Sequence, residues 1–347
     1  MEGGRPMGIP TRARALRVET AIGCSQFLLP SGRRVPGPIR RRKDVAKPMS
    51  LFSTIVSQLV NGLQSGSIYA LVALGYSMVY GIILLLNFAH GDIIMVGAYA
   101  AWMCMVNFHL HPVVSILIAI LTSTLLGVVI EKVAYTPLRS APRLSLLITA
   151  IGVSFLLENG FQLIFGAGAK DMSSAMTAVT GGPSISFGGT TLSFPAMLTI
   201  IVSILSMAVL TFLVQKTKLG KAMRAVSEDM GAAQLMGISV NATVSFTFAV
   251  GSALAGIGAI LYLCAYPQAN PTMGSMLGLK AFVAAVLGGI GSIPGAMIGG
   301  FVIGMAEALV SAVGLSVWKD GVVFAILIVV LLVKPTGILG RNITEKV

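Results

Sequence analysis

Long apolar runs separated by short polar loops are the feature that most constrains the fold of this chain. They lie at roughly 52–66, 67–86, 91–107, 113–133, 144–165, 195–215, 242–264, 278–293, 295–313 and 320–334. Only 10% of the residues are charged, whereas soluble domains carry about 25%. A helix needs about twenty residues to cross the hydrocarbon core of a membrane. The sequence therefore predicts an all-α, polytopic transmembrane helical bundle.

The number of spans depends on how the shortest apolar segments are treated. The segments at 52–66 and 278–293 are marginal in length for a full crossing, so we expect them to be short, tilted or re-entrant. Eight spans and ten spans both fit the pattern. Small residues four apart let helices approach closely in lipid. Such glycine pairs are Gly62/Gly66, Gly274/Gly278, Gly295/Gly299 and Gly300/Gly304.

Loop charges orient the spans, because Lys and Arg are retained on the cytoplasmic side. The loops at 134–143 and 216–241 and the C-terminal tail carry cations, and we predict that they are cytoplasmic. The loop at 166–194 has one Lys and one Asp, and 107–112 has no Lys or Arg, so both are predicted to lie outside. With these sides assigned, the N- and C-termini are both predicted to be cytoplasmic.

Residues 1–48 differ in composition from the rest of the chain. They hold 11 Lys and Arg against 3 acidic residues and are rich in Pro and Gly. A segment of this kind is predicted to be a disordered basic extension. Met49 opens a sequence typical of a bacterial membrane protein, so a mis-called start codon is one explanation of the extension. A native role would be attraction to anionic membrane lipid.

A charged island, residues 215–237, interrupts the apolar sequence. It reads QKTKLGKAMRAVSEDMGAAQLMG, with four cations that include Arg224 and two adjacent acids, Glu228 and Asp229. The island is long enough to form a short amphipathic helix. A structured cytoplasmic loop of this kind usually offers a surface to a partner. The alternative is a solvated connection that only sets the topology.

Ionisable residues at membrane depth are costly and mark candidate functional sites. The segment NFAHGD (87–92) is a polar break between two apolar runs. We predict a helix that begins at Asp92, with Asn87 and Asp92 capping backbone groups and Gly91 accepting strained dihedral angles. Asn87, His90, Gly91 and Asp92 are then candidates for a helix break beside a transport path. The alternative is a capped turn at the membrane surface.

Other ionisable residues in the apolar runs have simpler interpretations. Lys280 is predicted to lie near the outer boundary and to extend its charge toward water. Glu158 and Glu307 are predicted to hydrogen-bond to neighbouring helices, and contact with a transported molecule is the alternative. Lys280 and Glu307 are therefore also candidates for the transport path. The adjacent residues Glu131–Lys132 and Lys319–Asp320 are predicted to be interfacial pairs.

The sequence lacks the common catalytic and metal-binding patterns. It contains no HExxH, no GxSxG and no P-loop, and Gly220–Lys221 lacks the earlier glycine and the following hydroxyl of a P-loop. Cys24, Cys104 and Cys264 have no metal-ligand spacing. The chain is therefore predicted to be no enzyme and to bind no metal or cofactor. If ATP drives transport, another subunit must hydrolyse it.

Several motifs resemble those of ABC importer permeases, and of the branched-chain amino acid permeases among them. GAAQLMG (231–237) is similar to the coupling loop of these permeases: Ala232, Ala233 and Gly237 match, although Gly231 replaces the usual Glu. NGLQSGSIYALVALGYSMVYGI (61–82) and NFAHGDIIMVGAYAAW (87–102) resemble the amino-terminal part of the family. LKAFVAAVLGGIGSIPGAMIGG (279–300) resembles the carboxy-terminal part. The resemblance covers about 49–345.

The resemblance implies one transmembrane subunit of an importer in the bacterial inner membrane. Such a subunit pairs with a second, related permease, docks two ATPase subunits and receives substrate from a periplasmic binding protein. Its coupling loop would be 216–241, with Arg224, Asp229, Ala232, Ala233 and Gly237 at the ATPase contact. Leucine, isoleucine and valine are the expected substrates, with urea or short amides as an alternative. The alternative of another class is a proton- or ion-coupled transporter that uses His90, Asp92 and Glu307.

Overall fold

The computed structural model describes residues 51–83, 87–139, 141–187 and 190–340, most of them helical. Its α-helices are α1 (Leu51–Ile83), α2 (His90–Trp102), α3 (Pro112–Ile130), α4 (Arg143–Phe165), α5 (Ser173–Thr180), α6 (Phe194–Lys216), α7 (Lys218–Glu228), α8 (Met230–Leu235), α9 (Val240–Ala265), α10 (Met273–Gly288), α11 (Ile293–Ala312) and α12 (Lys319–Val333). The predicted all-α bundle is confirmed. The basic extension predicted at 1–48 lies outside the described residues.

Short elements complete these helices. Two π-helical turns, Met103–Asn107 and Glu131–Tyr135, continue α2 and α3, and a 3₁₀ turn, Ser316–Trp318, precedes α12. Strand β1 (Lys170–Asp171) pairs with β4 (Gln268–Ala269), and β2 (Ile185–Phe187) pairs with β3 (Thr190–Leu192), both antiparallel. The strands lie in the connections between helices and leave the bundle itself helical.

Local sequence signals set several helix boundaries. α3, α6 and α11 each have a proline in the first turn, where the missing N–H costs nothing. α4 and α10 are each followed by a glycine with positive φ, Gly166 at 83° and Gly289 at 106°. This left-handed conformation ends a helix and suits glycine, which has no Cβ.

Seven helices of the described residues are long and apolar enough to cross a membrane: α1, α3, α4, α6, α9, α11 and α12. The division of 52–66 from 67–86 is wrong, because both segments belong to α1. At 1.5 Å per residue this helix of 33 residues is about 50 Å long, which exceeds a ~30 Å hydrocarbon core. The helix accommodates polar side chains at this point, since Ser67 Oγ donates to Leu63 O at 2.7 Å.

Two helices near the centre of the bundle are shorter than a full crossing. α10 has 16 residues, as expected for the marginal segment at 278–293, although it begins five residues earlier. α2 has 13 residues before its π-helical turn, and most of its side chains are buried. These short helices pack among α1, α9 and α11, which together with them form the buried core.

Glycines allow the core helices to approach backbone to backbone. A Cβ at Gly304 would lie 2.2 Å from Gly66 N, and one at Gly300 would lie 2.4 Å from Ala70 Cα. A Cβ at Gly299 would lie 2.0 Å from Ala284 O. No side chain fits at such distances, so the predicted glycine pairs on α1 and α11 do serve close helix packing.

The same contacts show which loops share an end of the bundle. α1 and α11 are antiparallel, because Gly62 faces Ala308 while Gly66 faces Gly300. The last turn of α1 meets the α10–α11 connection at Gly291, and Gly289 packs against Gly340. The start of α1 and residues 337–340 therefore lie at opposite ends of the bundle.

Loops that were predicted to lie on opposite sides of the membrane do lie at opposite ends of the bundle. Arg139 Nη1 donates to Asn241 Oδ1 at 2.6 Å, so the loop at 134–139 lies beside the end of the charged island. Strand β1, in the loop predicted to be outside, pairs with β4 after α9, at the other end. The placement of both chain termini on the cytoplasmic side stays a prediction, because residues 1–50 and 341–347 lie outside the described residues.

Candidate functional site

The charged island folds into two short helices, α7 and α8, packed against the ends of α6 and α9. Thr217 caps α7, since its Oγ1 accepts from Gly220 N at 3.0 Å. The predicted amphipathic character of α7 is confirmed: Gly220, Met223 and Val226 are buried against the bundle, while its cations lie on the other face. The island is therefore a built surface rather than a loose connection.

Arg224 and Asp229 hold the two helices in place. Arg224 Nη1 donates to Val214 O at 2.8 Å and to Gln215 O at 3.3 Å, which satisfies free carbonyls near the end of α6. Asp229 Oδ1 accepts from Gly231 N at 2.7 Å and from Ala232 N at 3.0 Å, as an N-cap does. Both side chains position α7 and α8 from within the chain.

The small residues of GAAQLMG divide between two faces. Ala233 is buried beneath α8, so it packs on this chain and cannot be part of an exposed contact. Ala232 and Gly237 are exposed, and Gly237 has φ 80°, which only glycine adopts without strain. The expectation that all of these small residues admit a partner is therefore wrong for Ala233.

Two large apolar side chains at the end of α8 escaped the sequence analysis. Leu235 is 90% exposed and Met236 is 82% exposed. They follow a capped helix at an end of the bundle that also carries the cations of α7. Two large apolar residues at the end of a polar island are a sequence pattern from which an exposed contact could have been predicted. Exposed apolar side chains on a rigid, polar-rimmed surface are typical of a protein contact.

The segment NFAHGD lies inside the bundle. Asn87, His90 and Asp92 are almost completely buried, which excludes the alternative of a turn at the membrane surface. Tyr135 Oη donates to Asn87 Oδ1 at 2.7 Å, and the His90 ring packs edge-on against Tyr76 with 4.8 Å between ring centroids. α2 begins at His90, two residues before the predicted start, and no side chain caps it.

Gly91 has a different role from the predicted one. It is helical, and its backbone conformation is not strained. A Cβ at Gly91 would lie 2.2 Å from Gly274 O, and Gly278 Cα lies on the same side. The glycine is needed because the first turns of α2 and α10 touch at mid-bundle.

A buried ion cluster joins α10, α11 and α12. Lys280 Nζ lies 2.7 Å from Glu307 Oε1 and 2.6 Å from Asp320 Oδ1. Tyr69 Oη donates to Glu307 Oε2 at 2.8 Å. The prediction that Lys280 extends its charge into water is therefore wrong, because Lys280 pairs with these two carboxylates. Glu307 does bond to neighbouring helices, and Asp320 pairs with Lys280 rather than with Lys319.

Two further acids, Glu158 and Glu131, are also bonded. Glu158 accepts from Ser275 Oγ on α10, as predicted for a helix-to-helix contact. Glu131 pairs with Arg139 at 3.2 Å and accepts from Ser245 Oγ at 2.7 Å, instead of pairing with Lys132. Among the described residues, no hydrogen bond or ion pair joins His90 or Asp92 to the Lys280 cluster. A continuous proton relay through these groups is therefore not built into the described part of the chain.

A comparison with protein families identifies the family to which the chain belongs. The model of the permease component of branched-chain amino acid transport systems matches residues 58–331. The chain belongs to this family. It is therefore an ABC transporter permease, a transport component that works with other transporter components, and a multi-pass protein of the inner membrane.

Individual relatives agree with the family match. The chain is 43% identical over 300 residues to the high-affinity branched-chain amino acid permease protein BraD of Pseudomonas aeruginosa, covering 84% of this chain and 98% of BraD. It is 43% identical over 305 residues to the LivH protein of Escherichia coli, with 85% and 99% covered. The ribose import permease protein RbsC of Haemophilus influenzae is 24% identical over 284 residues, with 79% and 84% covered.

Proposed function

We propose that this permease carries leucine, isoleucine and valine inward across the membrane and is driven by ATPase subunits that dock on α7 and α8. The main support for the proposal is the exposure of Leu235 and Met236 at the end of α8, where their apolar side chains are available to a partner at one end of the bundle. The high-affinity relatives named for branched-chain amino acids support the substrate.

The charge of the island indicates on which side of the membrane it lies. Its cations favour the cytoplasm, where an ATPase is located. The end that carries α5 and the strand pairs then faces the periplasm and receives the substrate-binding protein. The start of α1 faces the periplasm as well. A second, related permease completes the membrane part, and exposed apolar faces of the outer helices offer it a surface in lipid.

ATP hydrolysis belongs to the docked subunits in this proposal. Closure of the ATPases would move α8, whose first turn is held by the Asp229 cap, and Arg224 would pass the movement on because it ties α7 to the end of α6. A rigid coupling element of this kind can bias a two-state transporter.

Cross-linking tests the docking surface. Leu235→Cys, in a Cys24→Ser background, is expected to cross-link to the ATPase in membranes, since Cys104 and Cys264 are buried. Ser174→Cys is the matched control, because it is exposed on α5 at the opposite end. Cross-linking of Ser174→Cys to the ATPase, with none from Leu235→Cys, would contradict the proposed orientation and the docking surface.

Uptake tests the substrate separately. Cells that contain the complete transporter should take up labelled leucine, and unlabelled isoleucine and valine should compete. One relative is named as a ribose import permease, so urea, a short amide and ribose are the informative competitors. Competition by one of these, without competition by isoleucine or valine, would replace the proposed substrate and leave the docking proposal intact.

A further inference from the structure

A polar cavity of about 350 Å³ lies between α1, α11 and the last turn of α9. This volume is at the lower end of the ~300–1,000 Å³ range of small-molecule sites. Amide side chains of α1 line one wall, at Gln58, Asn61 and Gln64, and Glu307 and Ser311 line the other. Polar residues on the side of a transmembrane helix are stable where they face water or a bound ligand.

The cavity lies at the end of the bundle away from α7 and α8. Its wall includes Tyr266, which follows α9, and the first half of α1. Both features are at the end that also carries β4. Asn61 and Lys319 are exposed, so the cavity has an open rim at this end.

Both signs of charge meet at the cavity. Glu307 reaches it from the ion cluster, in which one cation, Lys280, faces two carboxylates, Glu307 and Asp320; the cluster therefore has one negative charge in excess. Lys319 supplies a positive charge at the rim. Small apolar residues, Ala265 and Ala308, line the space between the polar groups.

We infer that this cavity is a binding subsite for the zwitterionic form of the transported amino acid, occupied on entry from the outer side. Glu307 attracts the ammonium group, which compensates the excess negative charge of the ion cluster. Lys319 and the amides of α1 bind the carboxylate. The alanines leave room for a branched apolar side chain. The inference rests on the proposed function, because it takes its ligand from the proposed substrate.

Cysteine protection tests occupancy without the binding protein. Asn61→Cys, in the Cys24→Ser background, is placed in the assembled permease–ATPase complex and treated with a membrane-impermeant thiol reagent. Leucine should slow the modification about tenfold at saturation. 4-Methylpentanoate has the same side chain and carboxylate but no ammonium group, and it should protect weakly. Ser174→Cys is the control whose modification leucine should not change.

Lys319→Met tests the carboxylate contact. Loss of a charge-assisted hydrogen bond should raise the leucine concentration for half-protection roughly tenfold or more. Lys170→Met is the matched control, because Lys170 is a cation at the same end of the bundle that stacks on Trp102 and lies outside the cavity. It should leave the half-protection concentration unchanged.

The outcomes separate the subsite from the proposed function. Leucine uptake by the wild-type transporter without protection of Asn61→Cys would overturn the subsite alone. Equal protection by 4-methylpentanoate would overturn the zwitterion assignment and leave a site for a carboxylate with an apolar side chain. An Asn61→Cys that the reagent cannot reach would overturn the open rim and show that another subunit covers this wall. Absence of leucine uptake by the wild-type transporter would overturn the proposed function itself.

Discussion

Small residues are used differently at the centre of the bundle and in the α7–α8 surface. At the centre, glycines such as Gly91 and Gly304 face other backbones of this chain at distances that exclude any side chain. In α8, Ala233 packs inward while Leu235 and Met236 point into the surroundings. The difference teaches that a small-residue motif need not pack throughout: Ala233 of GAAQLMG packs inward, whereas Ala232 and Gly237 are exposed. The large apolar side chains of this segment that are available to a partner are Leu235 and Met236.

Gly91→Leu should give the largest effect, because it forces a side chain into the contact between α2 and α10. Overpacking of a core costs about 1–3 kcal/mol or more, and here the obstacle is backbone. We expect most folded protein to be lost, measured as the monodisperse fraction by size-exclusion chromatography. Gly152→Leu is the control, since nothing lies within 4 Å of the position of its Cβ. Equal yields of the two variants would contradict the proposed role of close packing between α2 and α10.

Lys280→Met should destabilise nearly as much, because it leaves two carboxylates without their shared cation. Removing one partner of a buried ion pair costs about 3–5 kcal/mol. We expect a clear fall in the melting temperature of the purified protein. Partial recovery is expected on adding Glu307→Gln, which removes one uncompensated charge. A Lys280→Met protein that melts like wild type would show that the ion cluster does not hold α10, α11 and α12 together.

Asp229→Ala should act on transport more than on stability. It removes the cap of α8, which is worth about 0.5–2 kcal/mol, and leaves the bundle unchanged. Leucine uptake should fall severalfold while the melting temperature stays near that of wild type. Asp229→Asn can still cap and should retain most uptake. Equal uptake losses in both variants would mean that the charge of Asp229, and not its cap, is what matters.

His90→Gln should give the smallest effect. The His90 ring packs against Tyr76 and Gly75, and no bonded chain of ionisable groups extends from it among the described residues. Most uptake should remain, with the same pH profile as wild type. Loss of uptake with intact assembly and ATP hydrolysis would instead support a direct part for His90 in transport.

The sequence predicted features that depend on local pattern. Apolar runs and loop charges were enough for the helical class, most helix boundaries and the relative sides of the loops. GAAQLMG marked the segment that folds as α8, and its coupling role stays a prediction. The glycine pairs on α1 and α11 were also found, because their spacing is a property of one helix.

Features that depend on distant neighbours were missed. The apolar run was divided between residues 66 and 67, yet the helix α1 continues through this point because α11 packs along it. Lys280 was placed near water because its partners, on α11 and α12, are 27 and 40 positions further along the chain. Gly91 was given strained dihedral angles, since nothing local shows that α10 touches it. In each case the deciding contact comes from another helix.

Leucine uptake by the Leu235→Asp/Met236→Asp double variant tests the central claim most directly, namely that α8 couples this permease to ATP hydrolysis. The variant is reconstituted with its partners, and its melting temperature is recorded in parallel. The account predicts that uptake falls to background while the melting temperature is unchanged, because both side chains are exposed in the isolated chain. Wild-type uptake by the double variant would contradict the claim.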